Sequence, residues 1–377
     1  MIPFDFQPRT RIVFGPNCID QLGEIASEMG ARRVLVVSDP GIVSAGHTDR
    51  GIQALTKASI ECAVFSQVHE NPTTLDVEAG VRIAKRHEPE LIVGLGGGSS
   101  MDCAKGINFI YTNGGEIKDY WGKGKALKEM LPMIAIPTTA GTGSETQSFA
   151  LISDAKTHVK MACGDKKASF RVAILDPSIT VTQPDTVTAL TGIDAIAHAV
   201  ESYVTKPRNS VSLSFSREAW RLLAKNFPIV LSDPENLNAR GEMQLGACFA
   251  GMAIENSMLG SAHAMANPLT ANFGIVHGQA VGLMLPYVVR FNAETFAPWY
   301  DELARVTDPS GNADSLASQL TEFLQSAKLA THLNQLEVSK EIVPKLASEA
   351  AEQWTGNFNP REMKQADFQA VYESAFV

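Results

Sequence analysis

Up to about residue 185, short β-rich runs alternate with helix-length amphipathic segments, which restricts this part of the chain to an α/β domain with a mainly parallel sheet. Four strands are predicted. Arg33-Val34-Leu35-Val36-Val37-Ser38 ends at Asp39-Pro40-Gly41, and Glu61 to Ser66 ends before Asn71-Pro72. Leu91 to Leu95 ends in Gly96-Gly97-Gly98, and Met133 to Ile136 runs into Pro137-Thr138-Thr139. After Asp185 the strand signals fade. Long helical segments take over, punctuated by Pro207, Pro228, Pro234, Pro268, Pro286 and Pro298, so the second half reads as all-helical.

A chain of 377 residues exceeds what one hydrophobic core usually serves. The expected division is an α/β domain over 1–185 and a helical domain over 186–377. With no repeat and no Gly/Ser linker between them, the two are expected to meet across a cleft. Hydrophobic residues at 45% and charged residues at 19% describe an ordinary globular protein. A net charge of −9 without a basic cluster argues against nucleic acid or anionic membrane as a partner.

Cys18, Cys62, Cys103, Cys163 and Cys248 are scattered and form no C-x-x-C pair, as expected of reduced, mostly buried thiols. The opening Met1-Ile2-Pro3-Phe4-Asp5-Phe6 lacks the basic and apolar regions of a signal peptide. The most apolar later stretch, Ala280 to Val289, is broken by Pro286 and falls short of the ~20 residues that span a bilayer. A cytoplasmic location is expected.

Three strand ends carry residues suited to a dinucleotide. In Gly94-Leu95-Gly96-Gly97-Gly98-Ser99-Ser100-Met101-Asp102, followed by Lys105, a buried strand passes through glycines into a helix start, where backbone N–H groups and the helix dipole attract a pyrophosphate. The same glycines also suit a tight turn with no ligand. Pro137-Thr138-Thr139-Ala140-Gly141-Thr142-Gly143-Ser144-Glu145 offers hydroxyls to phosphate or ribose, although Thr142 or Ser144 can equally cap a helix. Asp39, at the end of the first predicted strand, suits an adenosine ribose diol, or simply a turn before Pro-Gly.

In the helical half, Asp194 and His198 stand at i and i+4 on one helix face, where a carboxylate and an imidazole can share a divalent ion. His263 and, after a loop containing Pro268 and Gly274, His277 complete a set of one carboxylate and three imidazoles suited to Fe(II) or Zn(II). The other five of the eight histidines, His47, His69, His87, His158 and His332, lie in polar surroundings. No G-x-S-x-G elbow or paired cysteine points to nucleophilic chemistry.

These residues resemble the iron-containing (group III) alcohol dehydrogenase family over nearly the whole chain. The resemblance is carried by Ile12-Val13-Phe14-Gly15-Pro16, the Gly96-to-Lys105 turn, the Pro137-to-Glu145 segment, the Asp194/His198 helix and the closing Asn359-Pro360-Arg361. It implies a dehydroquinate-synthase-like architecture and assembly as dimers or larger homo-oligomers. It assigns Asp194, His198, His263 and His277 to one divalent metal, Fe(II) ahead of Zn(II). To NAD, in preference to NADP, it assigns Asp39, Gly97, Gly98, Ser99, Asp102, Thr138, Thr139, Thr142, Lys160 and Ile179. The activity implied is hydride transfer between a small alcohol or aldehyde and the nicotinamide. The alternatives are a dehydroquinate-synthase-like lyase, whose phosphorylated and carboxylated substrate needs a basic pocket, and a non-catalytic metal- or nucleotide-binding protein. One departure stands out: Asn267 occupies a position where many members of the family carry a histidine, which bears on the proton route and the substrate class.

Overall fold

A computed structural model of the chain describes residues 3–157 and 159–376. Met1, Ile2 and His158 therefore lie outside the described residues, as does Val377. The chain divides into two compact units, one made of Gln7–Thr139 with Gly143–Gln183, the other of Met1–Phe6, Ala140–Thr142 and Pro184–Val377.

The first unit is built on a parallel six-stranded sheet. Its strands are β1 (Arg11–Phe14), β2 (Arg33–Val37), β3 (Glu61–Phe65), β4 (Leu91–Gly96), β6 (Met133–Pro137) and β9 (Val172–Leu175), in the order β1-β9-β6-β4-β2-β3. A second sheet joins β5 (Gly122–Lys123), β8 (Lys160–Gly164) and β7 (Phe149–Ser153). The β2 and β4 runs are apolar without alternation because both faces of a parallel sheet are covered, and Val34 to Val37 and Leu91 to Val93 are fully buried. Val36 lies between Val64 of β3 and Val93 of β4, which sets the register of β2 with both of its neighbours. Helices α1 (Leu22–Glu28), α2 (Pro40–Ser44), α3 (His47–Lys57), α4 (Thr74–His87) and α5 (Gly98–Asn113) connect the strands. The chain leaves β2 for β3 on one side and returns to β4 on the other, so the strand order reverses between β2 and β4. Crevices outside the carboxyl ends of strands at such a reversal are where α/β sheets bind ligands.

The second unit is helical: α6 (Asp185–Val204), α7 (Ser210–Ser232), α8 (Leu237–Ser257), α9 (Ser261–Phe273), α10 (His277–Ala304), α11 (Ala313–Ser326), α12 (Val343–Ala351) and α13 (Gln365–Ser374). Its core gathers Ile196, Trp220, Phe227, Met265, Leu283 and Phe323, with Phe227 edge-on to Phe323 at 5.7 Å. The prolines correct the expected punctuation. Pro228, Pro268 and Pro286 lie inside helices, whereas Pro298 follows the kink at Phe296 and marks a break as expected. For the first three, packing of the apolar faces outweighs the hydrogen bond each proline removes. Pro268 thus belongs to α9 and not to a loop, and Pro286 does not break α10, whose non-helical residue is Phe296. Among the described residues no helix is long and apolar enough to cross a membrane. All five cysteines are free and four are buried.

Candidate metal centre and dinucleotide site

Three helices of the second unit bring the four proposed metal ligands together. Asp194 and His198 lie one turn apart on α6, His263 lies in the first turn of α9, and His277 is the first residue of α10. The start of α10 can approach α6 because residue 278 is glycine. A Cβ there would stand 2.2 Å from the Leu190 carbonyl oxygen.

Asp194 Oδ1 is the hub. The Nε2 atoms of His198, His263 and His277 lie 3.4, 3.6 and 3.8 Å from it. Four donors bound tetrahedrally to one ion at about 2.1 Å would stand roughly 3.4 Å apart, and the three distances from Asp194 Oδ1 are close to that spacing. Donor atoms of Asp194, His263 and His277 are mutually within 4.8 Å, and His198 joins through Asp194 and by stacking on His263. Asp194 Oδ1 and His263 Nε2 are buried without a hydrogen-bond partner. Each such atom costs about 1–3 kcal/mol unless something pairs with it. The residues therefore fit a divalent cation. Asp194, His198 and His263 are buried, whereas the His277 side chain is about one-third exposed, at 34%.

The charges suit the same purpose. Burial opposes ionisation of Asp194, but the three imidazoles beside it hold its carboxyl well below the usual carboxylate range. Burial lowers the pKa of His198, leaving a neutral ring with a free lone pair, although Asp194 acts in the opposite sense. Burial also opposes the charge on His263, but Glu201 and Asp194 outweigh it and push that pKa up to about 9. A cation entering the site displaces that proton.

In the α/β unit the structure gathers most of the proposed dinucleotide residues at the strand reversal. Gly96 has φ 152°, and a Cβ there would meet Ser100 Oγ at 2.4 Å. Gly97 caps α5 with no side chain over the helix start, and Gly98 and Ser99 form its first turn. The Thr138 N–H donates to the Gly96 carbonyl at 3.0 Å, which ties together the ends of β4 and β6. Thr138 Oγ1 is buried without a partner, and the Thr139 methyl stands 3.5 Å from where a Gly97 Cβ would be. Asp39 is the N-cap of α2, its Oδ1 accepting from Ile42 N–H at 3.1 Å.

The remaining members of the set, and Lys105 beside Asp102, have other surroundings or reach the glycine turn only through a neighbour. The Asp102 carboxylate points inward, accepting from Ser144 Oγ at 2.6 Å and Leu151 N–H at 3.1 Å. Lys105 is fully buried and donates to the Ser144 carbonyl and hydroxyl and to the Phe149 carbonyl. Ile179 is buried in the apolar core beneath the sheet. Thr142 belongs with the helical unit. Lys160 donates to Asn71 Oδ1 at 3.2 Å, and the Asn71 N–H in turn donates to Ser99 Oγ at 3.2 Å. The sequence reads Asn71 only as a turn residue, and its left-handed φ of 53° fits that reading; its bonds to Lys160 and Ser99 are made across the fold and leave no signal in the sequence. Glu201, against His263, is likewise not singled out by the sequence alone.

A parallel α/β unit with a glycine turn at its strand reversal, together with a helical unit bearing an Asp-His-His-His cluster, defines a class of two-part dinucleotide- and metal-binding proteins. Within that class the chain belongs to the iron-containing alcohol dehydrogenase family. The family model "Iron-containing alcohol dehydrogenase" matches residues 8–177, and the "Fe-containing alcohol dehydrogenase family, C-terminal" model matches 188–376. The chain is 31% identical to the 1,3-propanediol dehydrogenase of Klebsiella pneumoniae over 99% of both proteins. It is 30% identical to the NAD-dependent methanol dehydrogenase of Bacillus methanolicus over 96% of this chain and 97% of that one. The sulfoacetaldehyde reductase of Bifidobacterium kashiwanohense, solved in complex with NAD+, superposes with a TM-score of 0.92 at 30% identity, covering 100% of this chain and 99% of that one. The family resemblance and the fold class expected from the sequence are both borne out.

Proposed function

We propose that this protein is an alcohol dehydrogenase and aldehyde reductase that moves a hydride between a small alcohol and NAD(H), with a divalent cation held by Asp194, His198, His263 and His277. The observation that carries the reading is the convergence of three imidazole Nε2 atoms on the buried Asp194 Oδ1, which has no hydrogen-bond partner. The relatives support it, since those named above act on small alcohols or aldehydes and one is solved with NAD+. Fe(II) ahead of Zn(II), NAD in preference to NADP, and a homo-oligomeric assembly belong to the same reading.

When bound, the cation supplies Lewis acidity that favours the alkoxide form of an alcohol. The side chains do the rest. Asp194 keeps a negative charge in a buried site, which compensates the cation. His198 and His263 are held by burial on two different helices, so the donor set is preorganised and needs little rearrangement on binding. The partial exposure of His277 leaves that side of the cluster accessible. In the α/β unit the free N–H groups at the start of α5 and the Thr138 hydroxyl are suited to the pyrophosphate, with Asp39 at the ribose.

The experiment is elemental analysis together with NAD reduction on a panel of alcohols, diols and hydroxy acids, and NADH oxidation with aldehydes. The parent is expected to carry one divalent ion per chain and to turn over at least one substrate class. Asp194→Ala and His263→Ala are expected to lose both metal and turnover. Unchanged metal and turnover in these variants would overturn the assignment.

A further inference from the structure

We infer that Glu201 is a positioning residue for the metal centre, orienting the ring of His263 so that its Nε2 is presented to the ion; the inference rests on the reading of Asp194, His198, His263 and His277 as ligands. Glu201 lies on α6, three residues beyond His198 and seven beyond Asp194, and is buried. Both of its carboxylate oxygens are engaged at the start of α9. Oε2 is hydrogen-bonded to His263 Nδ1, and Oε1 accepts from the Ala262 N–H at 2.7 Å.

A carboxylate only accepts, so the ring nitrogen facing Glu201 is the one that carries a proton. In the neutral ring this leaves the lone pair on Nε2, the atom that faces Asp194. One glutamate thereby fixes the ring rotation and the tautomer, and it satisfies a backbone N–H that the helix start leaves unpaired. Carboxylates behind ligating histidines act in this way in metal sites generally.

The surroundings are built around this carboxylate. A Cβ on Gly260 would stand 2.9 Å from Glu201 Oε1 and 3.2 Å from Asn359 Oδ1. Asn359 Oδ1 accepts from the Ser261 N–H at 3.4 Å and from Asn292 Nδ2 at 3.0 Å. Its own Nδ2 donates to Asn292 Oδ1 at 2.8 Å and to the Arg361 carbonyl at 2.6 Å. The Asn359-Pro360-Arg361 motif, to which the proposed chemistry gives no other role, therefore buttresses the helix start on which Glu201 acts.

The test uses the full chain loaded with Co(II). Glu201→Gln keeps the shape but turns an amide N–H₂ toward one of the two donors. It is expected to weaken Co(II) binding about 10–100-fold in chelator competition and to alter the visible Co(II) spectrum, while NAD binding stays at the parent's value. Glu201→Asp, which keeps the charge but shortens the reach, is expected to weaken binding in the same direction. In the Zn(II)-loaded parent, spectra of nitrogen-15 histidine are expected to show the His263 proton on Nδ1, a result that does not depend on any variant folding. Parent-like affinity and spectrum in a folded Glu201→Gln protein, or metal bound through Nδ1 of His263, overturns the inference. A parent that takes up no Co(II) overturns the metal-centre reading itself, and the inference with it.

Discussion

Ser100 donates its hydroxyl to Asp39 Oδ2 at 3.1 Å, so the first turn of α5 and the cap of α2 are fastened together where the strand order reverses. Asp39 therefore has two roles, since its other oxygen caps α2. If its charge faces the ribose, a 2′-phosphate at close range would meet repulsion of about 1–4 kcal/mol depending on the local dielectric, or about five- to a thousandfold in relative affinity. Asp39→Asn keeps an acceptor for the cap and removes the charge, so it is expected to raise NADP use relative to NAD with little loss of stability. Asp39→Gly is expected to do the same while losing a few tenths of a kcal/mol of capping. The check is kcat/KM for the two cofactors. Equal use of both by the parent would leave Asp39 as a capping residue alone.

Removing the cation is expected to lower stability as well as activity. A ligand present at a hundred times its Kd contributes about 2.7 kcal/mol to the folded state, which for a unit of this size is an unfolding-midpoint shift of roughly 5–10 °C. A chelator-treated sample is therefore expected to melt earlier and to recover on adding Zn(II), Co(II) or Fe(II). Asp194→Ala is expected to show no such recovery. A parent whose melting is indifferent to chelator and metal would contradict the proposed site.

Glu145 gives a pH dependence of known sign. Burial raises its carboxyl from 4.5 to about 7, against its own N–H and the charge of Lys105. Its folded-state pKa lies above the unfolded one, so the neutral form favours folding. Its contribution is full below about pH 4.5 and is lost as pH rises through about 7. The span corresponds to about 3 kcal/mol. Glu145→Gln is uncharged throughout, so its midpoint relative to the parent is expected to rise between pH 4.5 and 7 and then level off. A difference that stays flat across that window would show that Glu145 is not held neutral by its burial.

How far the sequence could be read follows from what kind of signal each feature leaves. The central strands were legible because a strand buried on both faces is an uninterrupted apolar run ended by a turn. By contrast, β9 and the small β5-β8-β7 sheet have short or mixed sequences that resemble loops. Asp194 and His198 were legible because helical spacing alone puts them on one face. The glycine turn that drew attention to Asp102 and Lys105 could not show which way α5 faces, and both turn toward Ser144. Glu201 lies three residues beyond His198 on α6, yet its role depends on His263, which only the fold brings to it. His47, with polar neighbours in sequence, is buried and hydrogen-bonded to Thr182, because burial is decided by what packs across from a residue.

Asn267, where the resemblance implies that many members of the family carry a histidine, stands at a position the structure makes testable. Helix α9 continues past it and past Pro268, so residue 267 stands one turn after His263 on the same helix face. Its amide donates to Gln353 Oε1 at 2.9 Å and is only partly buried. An amide takes up no proton at ordinary pH, so the proton released on alcohol oxidation must leave by water, a cofactor hydroxyl or another side chain. Asn267→His places at this position an imidazole whose unperturbed pKa is about 6.5. A ring N–H can replace the amide donor to Gln353, so the local packing is expected to survive. The variant is expected to keep its metal and to add an ionisation near neutrality to the pH profile of oxidation. Metal content is measured first, because an added imidazole one turn from His263 can also compete as a ligand. With metal retained, a profile that overlays the parent's from about pH 5 to 9 would show that position 267 lies off the proton route, and that its bond to Gln353 has a structural role only.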